Sequence, residues 1–249
     1  MLKRFAGAED FINGKIRWCL WLKDVNLTLI RNMPLVLERV EKVKAFRLRS
    51  PKEFTRRKAE FPMLFEQIRQ PESDFILIPR VSSENRKYIP LGFLSKDVVV
   101  SDTATFIPNA TLFHFGVLTS AMHMAWVKTV CGRLKSDFRY SNDIVYNNFP
   151  WPNIPNANQI KSVEEAAQKV LQIRNEFSMN TLAELYDPIT MPSELVKAHH
   201  SLDKAVDRCY SSQSFSNDAK RMEFLFELYE KYTSGLFADT LPKSKKTKG

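Results

Sequence analysis

Three charged side chains alternate along one short stretch of the chain, at Lys135, Asp137 and Arg139. In an extended strand successive side chains point to opposite faces, so these three would project together. Lysine and arginine can donate to the two acceptors on a guanine edge, and aspartate can accept from the cytosine amino group. The spacing therefore predicts a group of side chains that could read a base pair. An ordinary solvent-exposed strand with a lysine–aspartate pair is the alternative that the residues leave open.

Positive charge is concentrated in the first part of the chain. Residues 1–150 contain 24 Lys and Arg against 15 Asp and Glu, a net charge of +9, whereas residues 151–249 contain 13 of each. Residues 38–60, the basic segment, hold nine Lys and Arg against four Glu. Neutralising DNA phosphates releases counterions, so such a segment is expected of a DNA-binding protein. A solvated helix face is the alternative.

Two regions with different patterns follow one another along the chain. Strand-like runs at residues 75–78 and 98–100 mix with helical patterns at 34–48 and 111–131. A proline-rich stretch at 150–155 breaks regular structure, and helical spacing of apolar residues follows it, with Ser162 and Glu165 as a predicted capping box. The pattern predicts an α+β fold. It consists of a mixed α/β domain over residues 1–152, a small all-helical domain over 153–240, and a basic disordered tail over 241–249.

Apolar and aromatic residues are predicted to be structural. The longest apolar stretch, residues 111–130, contains His114, His123 and Lys128 and is too polar to span a bilayer, so no membrane partner is expected. Five aromatic residues lie in apolar surroundings and are predicted to be in the core: Trp18, Trp21, Phe113, Phe115 and Trp126.

The string GRLKSDFRYSNDIVYNNFPWP, residues 132–152, resembles the signature that ends the target-recognition domain of MmeI-like (type IIL) restriction-modification enzymes. Three further stretches resemble the same family in the same order, at residues 11–22, 82–90 and 181–192. Members of this family join a nuclease, an adenine-N6 methyltransferase and a DNA-reading region in one polypeptide. The resemblance implies that this chain is the carboxyl-terminal part of such an enzyme. It also implies double-stranded DNA as the partner and the bacterial or archaeal cytoplasm as the location.

The resemblance also implies roles for individual residues. The positions matching Lys135 and Asp137 act as a charge pair that reads the base pair after the methylated adenine, and a Lys-then-Asp order should favour guanine there. The position matching Arg139 contributes to an inner base pair. Contact with the DNA backbone, or support of the reading residues, is expected from a larger set: Arg47, Arg49, Arg56, Arg57, Lys58, Ser82, Ser83, Arg86, Arg133, Ser136, Tyr140 and Ser141.

Motifs for catalysis are not found in this sequence. An adenine methyltransferase needs an Asn/Asp-Pro-Pro-aromatic tetrapeptide to hold the flipped base, and the nearest string, Asp187-Pro188-Ile189-Thr190, lacks the second proline and the aromatic residue. The glycines are too far apart to form a loop for S-adenosylmethionine. No catalytic residue, metal site or cofactor is therefore predicted for this chain. S-adenosylmethionine and Mg²⁺ are implied only for missing catalytic domains.

Three functions from different classes remain open at this stage. The first is the specificity portion of an MmeI-like enzyme whose methyltransferase and nuclease domains lie upstream. The second is a separate specificity subunit that acts in trans with a methyltransferase partner. The third is a non-specific DNA-binding remnant, which would show steep salt dependence without sequence preference. Whether the chain takes part in an enzyme is left uncertain by the residues themselves.

Overall fold

Small β-sheets dominate the first part of the molecule. The computed structural model describes residues 1–238, so the predicted basic tail lies outside the described residues. The strands are β1 (Leu2–Ala6), β2 (Arg17–Leu20), β3 (Phe75–Pro79), β4 (Val81–Ser82), β5 (Gly92–Leu94), β6 (Val99–Val100), β7 (Ala104–Pro108), β8 (Gly132–Leu134) and β9 (Asp137–Arg139). In the described residues they form three sheets, with strand orders β2-β1-β6, β5-β3-β7 and β4-β9-β8.

Helices surround these sheets and make up the second part of the chain. They are α1 (Ala8–Ile12), α2 (Leu27–Arg31), α3 (Pro34–Leu48), α4 (Glu53–Arg57), α5 (Leu112–Leu118), α6 (Ala121–Val130), α7 (Ala157–Glu176), α8 (Leu182–Leu185), α9 (Ser193–Tyr210) and α10 (Asp218–Ala238). The predicted α+β class, mixed first and all-helical afterwards, is confirmed. No helix within residues 1–238 is long and apolar enough to cross a membrane.

Two of the predicted helices have different boundaries in the structure. The apolar stretch 111–131 forms two helices, because the Ser120 hydroxyl accepts from the backbone N–H of His123 and begins a new helix there. The predicted capping box of Ser162 and Glu165 is wrong. Helix α7 begins earlier, where Asn156 and Gln159 each accept a hydrogen bond from the other's backbone N–H, at 3.0 and 2.9 Å.

One hydrophobic core joins the first part of the chain to the helical part. Strand β3 is buried along its whole length, and α5 and α6 pack into the same core as α7, α9 and α10. Gly116 allows α5 to approach α7 closely, since a Cβ atom there would lie 2.6 Å from Val163 Cγ1. The helices therefore brace the sheets that carry the predicted DNA-reading residues.

A much smaller core stabilises residues 20–63. Its fully buried members are Leu22, Ile30 and Val40. Phe115 and Trp126 are buried in the main core as predicted, but the core prediction for Trp18 is wrong, because this side chain is 63% exposed. Trp18 lies near the start of β2, where both Arg17 and Trp18 are exposed, while Leu20 at the end of the strand packs on the small core.

Candidate nucleic-acid interface

The predicted base-reading residues lie on a β-hairpin formed by β8 and β9. Leu134 pairs with Asp137, so the turn consists of the two residues Lys135 and Ser136. The prediction that the three charged residues share one strand is therefore wrong. Lys135 lies in the turn with a φ of 55°, in the left-handed region that lysine rarely adopts.

The hairpin nevertheless carries all three charged residues, with Lys135 at its tip and the other two on one face of a strand. Asp137 and Arg139 share a face of β9, and Phe138 between them points to the core, where it is 3% exposed. Lys135 and Arg139 are exposed and Asp137 is half-buried. None of the three is buried against the helical part, so all three remain able to contact a ligand.

A cleft of about 770 Å³ lies beside this hairpin face. Its charged lining consists of Arg69, Arg80, Arg86, Arg139, Glu9 and Asp143. Four cations thus oppose two anions, and the cleft carries a net positive charge of two. Sequence reasoning selected Arg86 and Arg139 but not Arg69 and Arg80.

Arg80 is held at the junction of two sheets. It lies between β3 and β4, its backbone N–H donates to the Thr103 carbonyl at 3.1 Å, and its carbonyl accepts from the Tyr140 N–H at 2.8 Å. Both its main-chain groups are thus bonded, and the guanidinium lines the cleft. The sequence shows a cation directly after the apolar run 75–79, but nothing in it indicates that this cation reaches the cleft.

Buried side chains support the hairpin from behind. Tyr140 is 2% exposed, and its hydroxyl lies 3.0 Å from His123 Nε2. Burial lowers the pKa of His123 from 6.5 to about 3, so this imidazole is neutral. Ser82, opposite Phe138 in the register, is also buried. Tyr140 and Ser82 were predicted either to contact DNA or to support the reading residues. Neither side chain reaches the surface, so support is the role that remains for them.

Arg133 holds the hairpin in shape, and the nearby serines make local bonds in the hairpin's flanking segments or lie in its turn. The Arg133 guanidinium lies 4.2 Å from the Phe138 ring centre and donates to the Ser136 carbonyl at 2.8 Å. Ser141 caps the short π-helical turn Asn142–Tyr146, accepting from the Ile144 N–H at 3.4 Å. Ser83 accepts from the Asn85 N–H at 3.3 Å. The exposed Ser136 is part of the turn itself.

The loop that carries Arg86 is anchored on the helical part. Tyr88, two residues later, donates from its hydroxyl to Asp203 at 2.6 Å and stacks on His199 with 4.0 Å between ring centres. Partial burial lowers the pKa of Arg86, and the Asp137 carboxylate opposes that shift. Arg86 is therefore a second cation close to the hairpin face, positioned through Tyr88 by helix α9.

In the basic segment, most of the cations that were predicted to contact DNA are bonded to other groups of the protein. Buried Arg47 donates to the carbonyls of Lys58, Phe61 and Leu64 at 2.8, 3.0 and 2.6 Å. It is a support residue rather than a phosphate ligand. Four exposed or half-buried cations are also engaged: Arg49 with the Ala45 carbonyl, Arg56 with the Ser50 and Pro51 carbonyls, Arg57 with Glu53, and Lys58 with the Phe54 ring. Their contact with DNA stays a prediction.

Comparison with known proteins gives a consistent family. The family model for the MmeI target recognition domain matches residues 1–153, and that for the MmeI C-terminal domain matches residues 154–237. DNA methyltransferase A of Bacillus subtilis (strain 168) is 42% identical over 231 residues, which are 93% of this chain and 26% of that protein.

A solved structure is similar to this chain over almost its whole length. It is the type IIL restriction-modification enzyme MmeI in complex with DNA, with a TM-score of 0.90 and 49% identity. The match covers 94% of this chain and 31% of the MmeI chain, so this chain spans less than a third of either relative. The chain belongs to the MmeI family, of which it contains the target recognition domain and the C-terminal domain.

Proposed function

We propose that this chain reads double-stranded DNA by sequence, as the specificity portion of an MmeI-like adenine-N6 DNA methyltransferase or restriction enzyme. The observation that carries the proposal is one hairpin that carries Lys135, Asp137 and Arg139 unburied, with Arg139 lining a cationic cleft. The family model for the MmeI target recognition domain supports it, because its match includes the hairpin, and the similar MmeI structure is a complex with DNA.

The chemistry of the hairpin fits one base pair. Lys135 can donate to the guanine acceptors, while Asp137 can accept from the amino group of the paired cytosine. Arg139 faces the cleft, where an inner base pair would lie, and Arg86 is placed to neutralise a phosphate. The adenine itself must be flipped out of the duplex to be methylated, and that step belongs to another protein region.

The catalytic chemistry is assigned to regions outside this chain. Within residues 1–238 no three His, Cys, Asp or Glu side chains come together to hold a metal ion. Mg²⁺ and S-adenosylmethionine are the groups that this chemistry needs, and the widely spaced glycines of this sequence do not form the loop expected to bind S-adenosylmethionine. Both are proposed for the methyltransferase and nuclease regions, linked upstream or bound in trans. We expect the assembly to act on chromosomal DNA in the cytoplasm of a bacterium or archaeon.

Exchanging the charge pair tests the proposal. The double variant Lys135→Glu with Asp137→Arg, within a complete enzyme that joins this chain to the catalytic regions of the Bacillus relative, should change the preferred guanine to cytosine. Single-molecule sequencing of methylated motifs measures the change. The control is Lys161→Glu with Glu165→Arg, which reverses an exposed ion pair on α7 and should leave the motif as it was. An unchanged motif in the hairpin variant contradicts the assignment.

A further inference from the structure

Exposed apolar side chains are concentrated in the first 68 residues. Among the described residues, 14 of the 21 exposed large hydrophobic side chains lie there, although this stretch is less than a third of the 238 residues. Single exposed apolar residues are normal, but a concentration of them marks a contact surface.

Several of these side chains line one groove of about 800 Å³ between the β1–β2 pair and α3. Leu2 and Leu35 are each 69% exposed and Trp18 is 63% exposed. Strand pairing of Leu2 with Leu20 and of Arg4 with Trp18 gives these residues one shared face of the sheet. We call this the apolar groove. The small core supports it from within: Leu22, Ile30 and Val40 are buried, with Leu20, Val25, Val36 and Met63 packed against them.

The composition of the groove favours a protein over DNA as its occupant. Phosphate binding requires cations that are free to approach the backbone. In the adjoining basic segment Arg47 is bonded to carbonyls and Lys42 is paired with Glu38. Trp18 and Leu35 instead offer a desolvated contact of the kind that anchors protein interfaces. Arg39, the remaining cation of its lining, suits a partner with an acidic group at the rim.

We propose that the apolar groove is the docking surface for the methyltransferase-bearing region of MmeI-like enzymes. This inference rests on the proposed function. The larger part of both relatives lies outside the match, since this chain covers 26% and 31% of them. A base read by one region directs chemistry in another only if the two are held at a fixed distance and angle. A rigid apolar contact beside the reading domain supplies that constraint.

Hydrogen exchange of residues 27–48 tests the docking. The protein is compared in two forms: this chain alone, and a chimaera in which it replaces the matching 231 residues of the Bacillus methyltransferase. Without DNA, exchange in α2 and α3 should be at least about tenfold slower in the chimaera, because covering the segment suppresses its local opening. If the chimaera does not accumulate, the isolated chain is mixed with the remaining region of that relative.

Two matched variants separate docking from folding. Leu2→Glu with Leu35→Glu places two negative charges opposite the expected acidic rim of the partner. Both positions are exposed, so the isolated chain should keep its melting temperature. The slower exchange should be lost, and methylation should fall by about tenfold or more, as for removal of interface anchors. The control is Met179→Glu with Ile189→Glu, at side chains outside the groove that are 96% and 93% exposed. It should change neither the hydrogen exchange of residues 27–48 nor the methylation.

Three outcomes would overturn the proposal. One is unchanged exchange of residues 27–48 in both the chimaera and the mixture. Another is slower exchange only after duplex DNA is added, which would make the groove a DNA surface. The third is concentration-dependent self-association of the isolated chain with the same segment protected. The charge swap of Lys135 and Asp137 is measured by which motif is methylated, whereas docking is measured by hydrogen exchange. Failure of base reading is therefore distinguishable from failure of docking.

Discussion

The β8–β9 hairpin and the basic segment are both rich in charged residues, but the structure uses these residues in different ways. At the hairpin, Lys135 and Arg139 extend into solvent beside a cationic cleft. In the basic segment, Arg47 holds three carbonyls and Arg57 is paired with Glu53. Arginine is well suited to this second role, because its planar fork can satisfy several acceptors at once. The sequence therefore gives the number of cations, and the structure decides how many of them are free to bind.

The largest expected effect is on the stability of the basic segment. Arg47→Met removes the donors of three carbonyl groups, and we expect a loss of about 3 kcal/mol in the free energy of unfolding. Urea denaturation measures this loss. Arg49→Met is the control, since its side chain is exposed. If Arg47→Met left stability intact and weakened DNA binding instead, the distinction between the two regions would fail.

A smaller effect is expected at the hairpin, on binding rather than stability. In the complete enzyme, Arg139→Ala should weaken affinity for the methylated motif by about 2 kcal/mol, roughly thirtyfold, with a smaller loss on unrelated duplexes. Arg57→Ala, at a position predicted to contact the DNA backbone or support the reading residues, should weaken affinity less than Arg139→Ala does, because its guanidinium is already paired with Glu53. Fluorescence anisotropy at fixed salt measures both. Equal losses on the two kinds of duplex would reduce Arg139 to a phosphate contact.

The support beneath the hairpin should be sensitive to acid. Burial lowers the pKa of His123 from 6.5 to about 3. Below pH 6.5 this imidazole is therefore protonated in the unfolded chain but stays neutral in the folded chain. The stability from this residue is present above pH 6.5 and is lost as the pH falls, by about 1.4 kcal/mol per pH unit. In urea titrations, His123→Gln should reduce the slope of the free energy of unfolding against pH by that amount between pH 6 and 4. An unchanged slope would show that this imidazole is already protonated in the fold.

The smallest effect concerns the turn. Lys135 has a φ of 55°, which costs an L-residue roughly 1 kcal/mol. Lys135→Gly should therefore raise the melting temperature slightly while it removes the preference for guanine in the methylated motif. Asn109→Gly, at the same φ of 55°, should give less stabilisation because asparagine tolerates this region. A destabilised Lys135→Gly protein would show that the turn is held by contacts of the lysine side chain.

The hairpin shows what could be predicted from the sequence and what could not. The residues of the proposed reading group were selected from their types and spacing, and the roles that the family resemblance implies for them stay predictions. The turn was missed because Lys135 and Ser136 are not the Asn-Gly or Asp-Gly pair that marks a two-residue hairpin. Alternation alone predicts a strand, and it gives no sign of where that strand reverses.

Other differences have similarly local causes. The α+β class and the helix at 34–48 followed from periodicity. Two capping signals lay six residues apart before α7, and only the earlier one begins the helix. Trp18 was assigned to the core because it lies in an apolar stretch of the sequence. Arg69 and Arg80 could not be placed in the cleft from sequence, because their proximity depends on how the sheets meet.

The close packing at Gly116 has a consequence for how such proteins diversify. Because an added methyl group would collide with Val163, the two segments matched by separate family models carry surfaces shaped for each other. A genetic exchange that recombined one segment without the other would bring unmatched surfaces together. Point changes on the solvent-facing hairpin avoid that penalty, so new target sequences should evolve there, one side chain at a time, on an inherited scaffold.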